Sequence, residues 1–277
     1  MSDSLAERSG TKKTRSAMNI VAVIPARMGS SRFPGKPMAL IHGMPMIGHC
    51  YNRICLCEDL ALTYVATCDP EIFDYINSIG GNVVMTAKSH ERASDRAAEA
   101  MLKIEDQTGR RIDILVMVQG DEPMDTPQMV TEAIDPMIAD ETVKVVNLMA
   151  PILDENEFLD PNTVKVVTSH NGQALYFSRE PIPSNKKWDG ELPRKKQVCV
   201  IPFRRDYLIE FNRTPETPLE RIESVDMLRV LESGENVRMV STMYPSIGVD
   251  TPEHLRKVEE LMSSDSLMPS YLTPSTG

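Results

Sequence analysis

A chain of 277 residues with 41% hydrophobic content can bury a proper core, as one large domain or two small ones. Its formal net charge of −10 argues against nonspecific nucleic-acid binding, which needs basic surface to neutralise phosphates. No apolar run approaches the ~20 residues that cross a bilayer, and "MSDSLAERSGTKKTRSA" lacks the apolar core of a signal peptide. A cytoplasmic protein without membrane contact is expected. Cys50, Cys55, Cys57, Cys68 and Cys199 are odd in number and offer no second close pair for a zinc site, so buried free thiols are expected.

In chain order, residues 1–17 are polar and aperiodic and are expected as a disordered tail. From residue 18, the apolar runs "NIVAVI", "ALTYVAT", "NVVM", "ILVMV" and "VKVVNLM" predict buried strands. Between them, "PMIGHCYNRICLCEDL", "PEIFDYINSI", "DRAAEAMLKIEDQ" and "TPQMVTEAIDPMIAD" carry apolar residues at three- and four-residue spacing and predict helices. This alternation is the signature of a mostly parallel sheet covered by helices, an α/β fold. The texture changes over about 150–205, where "TVKVVT", "NGQALYFS" and "QVCVIPF" predict strands without intervening helices and His170 to Gly172 marks a hairpin turn. That stretch is expected as an inserted, partly antiparallel region containing a long polar loop at 181–196. Helical spacing returns in "PLERIESVDMLRVLESG", followed by a strand "VRMVSTM" and an N-capped helix "TPEHLRKVEELM". One domain from 18 to 262 and a second disordered tail at 263–277 complete the expectation.

The loop "PARMGSSRFPGKP" after the first strand occupies the position where open parallel sheets bind ligands. It departs from the nucleotide-binding P-loop: five residues, not four, separate Gly29 from Gly35, and Pro37 stands where a magnesium-binding Ser or Thr belongs. The glycines permit close backbone approach, and Arg27, Arg32 and Lys36 can converge on one polyanion such as a triphosphate. A solvated turn with incidental cations is the competing reading.

The stretches "IPARMGSSRFPGKP", "VQGDEP", "NTVKVV", "ALYFSR" and "GVDTPEHL" together resemble the cytidylyltransferases that make CMP-Kdo, an activated eight-carbon keto-acid sugar. The resemblance implies a three-layer sandwich like that of nucleotide-diphospho-sugar transferases, CTP as donor, magnesium as metal and a homodimer. It further implies that Pro25, Ala26, Arg27, Arg32, Lys36, Ser94 and Gln119 line the nucleotide pocket and that Asp121 and Asp250 hold the metal.

The chemistry agrees with those residue types. Attack on an α-phosphorus needs negative charge neutralised, and magnesium prefers one or two carboxylates with phosphate and water. Asp121 follows the strand "ILVMV" and Asp250 the strand "VRMVSTM"; Asp121 reads equally as a turn residue and Asp250 as a helix N-cap. Arg27, Arg32, Lys36 and Asp121 are the candidate catalytic residues. For an anionic small-molecule acceptor the candidates are Arg92, Arg96, Gln119, Gln197, Glu220 and Glu223, the last two reading equally as solvated helix carboxylates. His90, with no visible partner, reads as structural. Two departures bear on the acceptor. Gln197 and Ile201 stand where the Kdo enzymes carry a histidine and a tyrosine, and Arg92-Ala93-Ser94 replaces a serine–glycine–threonine run. An added cation suits a smaller, more highly charged acid, so a phosphonate is the alternative acceptor to a Kdo-type sugar acid. A CTP-sensing module and a glycosyltransferase are readings from other classes.

Overall fold

The computed structural model describes residues 18–30 and 32–272; the expected tail at 1–17 and residues 273–277 lie outside the described residues. In chain order the elements are β1 (Ile20–Ala26), a 3-10 turn (Lys36–Met38), β2 (Leu40–Ile41), β3 (Met44–Pro45), α1 (Met46–Cys55), β4 (Leu62–Thr67), α2 (Pro70–Ser78), β5 (Val83–Met85), α3 (Ala93–Thr108), β6 (Ile114–Val118) and α4 (Pro127–Ala139). There follow β7 (Val146–Pro151), α5 (Glu155–Leu159), β8 (Lys165–Thr168), β9 (Ala174–Ser178), β10 (Lys195–Val198), β11 (Val200–Arg204), α6 (Arg205–Arg213), α7 (Pro218–Glu223), α8 (Met227–Glu232), β12 (Arg238–Ser241) and α9 (Pro252–Met262). The chain divides into two compact units, one of Ser16–Thr131 with Pro245–Gly277 and the other built on Glu132–Tyr244. The second is wider at both ends than the antiparallel stretch expected at about 150–205.

In the first unit β6, β1, β4 and β5 run parallel in that order, with Val21 registered between Leu115 and Leu62, and Val65 against Val83. Every residue of β1 and β6 is buried, which is why these strands read as unbroken apolar runs. Helices α1 and α3 pack on β1 and β4. Because the strands are parallel, the loops after β1, β4 and β6 leave from the same edge of the sheet. The last helix, α9, begins with Thr251, whose side chain accepts the His254 N–H, so Thr251 and not Asp250 is the N-cap.

Residues 263–272, expected as tail, pack back onto α1. Asp265 pairs with Arg53, whose guanidinium is 2% exposed and also donates to the Asp125 and Met124 carbonyls at 2.8 and 3.0 Å. The Tyr271 hydroxyl lies 3.0 Å from His49 Nδ1, the two rings meeting edge-on.

The second unit carries the expected mixed sheet, in the order β12-β7-β10-β8-β9. Strand β12 runs parallel to β7, and β10 is antiparallel to both β7 and β8. The β8–β9 hairpin turns at Gly172, whose φ of 76° suits glycine. "QVCVIPF" divides into β10 and β11, and the helical stretch after Thr217 divides into α7 and α8 at Ser224, which takes φ 53°. All five cysteines are free thiols; Cys50, Cys57 and Cys68 are buried, Cys199 is half-buried and Cys55 is exposed.

Candidate active site

A cleft of about 520 Å³ opens at the carboxyl edge of the first unit's sheet, lined by the loop after β1, the start of α3, the loop after β6 and Asp250. The loop leaves β1 at Ala26 and closes on itself where the Gly35 N–H donates to the Met28 carbonyl at 3.0 Å. Gly35 takes φ 75°, left-handed, and the chain then enters the 3-10 turn with Pro37 buried beneath it. This brings Lys36 back under the sheet edge with its side chain only 12% exposed.

Lys36 Nζ is the centre of the constellation. It donates to Asp121 Oδ2 at 2.6 Å, to the Val249 carbonyl at 3.0 Å and to Asp250 Oδ1 at 3.2 Å. Burial opposes its charge, but Asp121 and Asp250 more than offset that, and its pKa lies above the ordinary 10.5. Arg32 adds a bond to the same Asp250 oxygen at 3.0 Å. The two aspartates, 129 residues apart in sequence, thus face one point in space. A backbone bond from Val249 N–H to the Asp121 carbonyl, at 2.8 Å, ties their loops together.

The loop after β6 is packed tightly against β1. A side chain at Gly120 would stand 2.8 Å from the Pro25 carbonyl, so only glycine lets Asp121 come so close to the cationic loop. Beyond Asp121, the Ser246 hydroxyl bridges Glu122 and Asp125. Burial raises the Asp125 pKa well above the usual carboxylate range, with the Glu122 charge adding to it.

Of the predicted nucleotide residues, Pro25, Ala26, Arg27, Arg32, Lys36 and Gln119 line the cleft. Ser94 does not: it is fully buried in the first turn of α3, and its neighbours Arg92 and Ala93 take the surface instead. Arg96 also lines the cleft, yet it is 3% exposed and is engaged with Thr86 and, at 3.3 Å, the His90 carbonyl. It therefore shapes the 86–92 loop as well as charging the wall.

The comparisons with known proteins decide the family. A cytidylyltransferase family model matches residues 21–237. The chain is 44% identical over 256 residues to a 3-deoxy-manno-octulosonate cytidylyltransferase of Geobacter metallireducens, an alignment covering 89% of this chain and 98% of the relative. The chain belongs to the CMP-Kdo synthetase family of cytidylyltransferases. A similarly named protein of Solibacter usitatus is 40% identical over 248 residues, covering 90% of this chain and 96% of its own. A solved CMP:2-keto-3-deoxy-manno-octonic acid synthetase complexed with CTP matches with TM-score 0.81 at 39% identity, over 88% of this chain and 98% of that one. The 4-diphosphocytidyl-2C-methyl-D-erythritol synthase of Anaerococcus prevotii, at 12% identity and TM-score 0.62 over 91% of this chain and 99% of its own, shares the fold alone.

As a member of that family the protein is a nucleotidyltransferase. Its two facing carboxylates match the donor set of magnesium, which takes one or two carboxylates and completes its shell with phosphate and water. No group of three or more His, Cys, Asp or Glu able to hold a metal occurs among the described residues, so an ion here would need oxygens from the nucleotide.

The remaining acceptor candidates lie in the second unit. Gln197 on β10 donates its amide to Asn147 Oδ1 at 2.6 Å. Glu220 is a correction: it is 0% exposed, and both its oxygens accept from Arg229, at 2.7 and 2.6 Å, so it is a structural ion-pair partner and not a ligand group. Glu223 accepts from the Ser178 hydroxyl and the Arg179 N–H, each at 2.8 Å, and is likewise occupied. Sequence reasoning missed the partner of His90. Glu99 on α3 pairs with the ring, accepts the Ala87 N–H at 2.9 Å and pairs with Lys103 at 2.7 Å. Burial would raise the Glu99 pKa, but those donors hold it down at about 2.

Proposed function

We propose that this enzyme transfers CMP from CTP to a Kdo-type 2-keto-3-deoxy sugar acid, releasing pyrophosphate, with magnesium as its metal. The observation that carries the reading is the single locus shared by Lys36, Asp121 and Asp250 beside a loop bearing Arg27 and Arg32. The names and CTP complex of the relatives support the donor and the acceptor.

In this reading Arg27, Arg32 and Lys36 hold the triphosphate and take up the charge of the departing pyrophosphate. Asp121 and Asp250 hold the magnesium, which when bound neutralises phosphate charge at the reacting centre. Gln119 and Arg92 orient the groups on either side. Lys36 arrives protonated, since its pKa is raised, and so donates hydrogen bonds and charge and is not a base.

A second reading keeps the chemistry and changes the acceptor to a small phosphonate. It is favoured by Arg92 on the cleft wall, a cation suited to a small, highly charged acid. A site whose polar partners are exchanged usually prefers a different substrate, with discrimination of ~10⁴-fold or more. Pyrophosphate release measured with CTP, magnesium and either Kdo or phosphonoformate separates the two: turnover of Kdo alone excludes the phosphonate, and turnover of phosphonoformate alone excludes the sugar. The family resemblance, and not the choice of acceptor, is the ground for proposing a homodimer; the edge strand β9 with Leu175 61% exposed supports it, and sedimentation of the purified chain tests it.

A further inference from the structure

The residue before α2 is an aspartate that does not cap its own helix. Asp69 occupies the N-cap position in extended geometry, with φ −108° and ψ 121°, yet its side chain makes no capping bond. An aspartate there ordinarily accepts from the second or third amide of the helix. Its Oδ2 accepts instead the backbone N–H of Met28 at 2.8 Å, 41 residues earlier in the chain. The Cys68 thiol faces the same oxygen at 3.6 Å. Asp69 is itself fixed on both sides: its N–H donates to Thr67 Oγ1 at 3.1 Å, and its carbonyl accepts the Phe73 N–H at 3.1 Å.

Met28 is the residue on which the cationic loop closes. Its carbonyl accepts from Gly35, so the residue is pinned at its N–H by the β4–α2 turn and at its C=O by the far end of the loop. Release of the N–H frees the point where the chain leaves β1, and with it the directions of Arg27 before the pin and of Arg32 and Lys36 after it. We propose that Asp69 is a positioning residue for nucleotide binding: its carboxylate is diverted from helix capping to hold the root of the phosphate loop. This rests on the reading above that the loop holds the triphosphate.

Three variants of the full chain separate positioning from capping. Asp69→Asn keeps an acceptor at the same reach. Asp69→Ser keeps an N-cap residue of equal quality, but its oxygen sits one atom closer to the backbone and falls short of Met28. Asp69→Ala removes both. Loss of a hydrogen bond to a charged group predicts that Ala and Ser raise the KM for CTP by about 10- to 100-fold with a smaller change in kcat, while Asn restores the KM to within about threefold of wild type. The Met28 amide, followed by hydrogen exchange in the absence of nucleotide, should lose protection in Ala and Ser and keep it in Asn. A Ser variant that matches wild type in KM and in Met28 protection overturns the proposal, since the Asp69 carboxylate is then not what holds Met28; an unchanged Ala variant does the same. Inorganic tripolyphosphate as a competitor of CTP separates this failure from that of the underlying reading. If Lys36→Ala weakens tripolyphosphate binding and Asp69→Ala does not, the Asp69 inference alone falls. If neither does, the loop is not the phosphate holder and both fall.

Discussion

Replacing Lys36 by methionine tests the heart of the site, because it keeps the stem and removes only the ammonium. That ammonium satisfies three oxygens, Asp121 Oδ2, the Val249 carbonyl and Asp250 Oδ1, at 2.6, 3.0 and 3.2 Å. Deleting one partner of a buried ion pair costs about 3–5 kcal/mol when the remaining charge cannot rehydrate. Asp121 and Asp250 retain 31% and 23% of their side-chain surface, so water takes up part of that loss and about 2–3 kcal/mol of folding stability is expected to go. Two carboxylates are then left facing each other, which makes the folded variant a better ligand for a divalent cation than wild type. By linkage, magnesium chloride should raise the denaturation midpoint of Lys36→Met more than that of wild type. Turnover moves the other way: pyrophosphate release at saturating magnesium should fall by about 10²–10³-fold in kcat/KM, the cost of removing one preorganised charge-stabilising donor. Activity within threefold of wild type, together with equal stabilisation of both proteins by magnesium, would refute the reasoning at its root.

Three further outcomes follow from single residues. Asp121→Asn should abolish pyrophosphate release while leaving the circular dichroism spectrum unchanged; near-normal turnover removes Asp121 from the metal shell. Glu220→Ala should cost about 3–5 kcal/mol in urea denaturation, because it strands the Arg229 guanidinium, itself 3% exposed, in the second unit's interior; a loss below about 1 kcal/mol would contradict a buried pair. Glu99 titrates at about 2 in the fold against an ordinary 4.5. Its depressed pKa contributes stability above pH 4.5 that is lost as the pH falls toward about 2, so the stability gap between wild type and Glu99→Gln should close over that window, and a constant gap would contradict the assignment.

The strands of the first unit are legible in the sequence because they are covered on both faces, so burial and residue pattern carry the same information in β1 and β6. Helix α6 is not. Its apolar run Tyr207-Leu208-Ile209 with Phe211 closely follows the strand "VCVIPF" and reads as its continuation, whereas the buried Tyr207, Leu208 and Phe211 are set as a helix face by packing of Phe203 against the Tyr207 and Phe211 rings. The break between α7 and α8 is equally silent in sequence, since it falls on Ser224 in a left-handed conformation without the glycine or proline that usually marks such a bend. The packing of residues 263–272 includes the polar anchors Asp265 on Arg53, Tyr271 on His49 and Ser263 against His42, and a composition that looks like a tail carries no trace of them.

The site divides along the same line. Lys36 and Asp121 are legible from sequence because each follows a strand of the first unit, and the carboxyl edge of a parallel sheet is one place. Asp250 is brought there otherwise, since the strand ahead of it, β12, belongs to the second unit's sheet and the Val249 N–H bond to the Asp121 carbonyl sets its position. Positions that act through a second residue are not. Asp69 ahead of Pro70 has every local mark of a helix cap, and only the path of the loop from β1 shows its carboxylate turned toward Met28. Glu220 misleads for the opposite reason: its helical spacing with Glu223 suggests a face turned to solvent or ligand, whereas Arg229, beyond the break at Ser224, folds back to take both oxygens. The chain's excess of acid does not oppose polyanion binding, because the field that matters is that of a cleft wall a few residues wide, within one Debye length of about 8–10 Å. On that wall the two metal-binding candidates are paired with Lys36 and Arg32, and Arg27, Arg92 and Arg96 together outnumber the remaining acid, Glu91, which leaves the cleft positive.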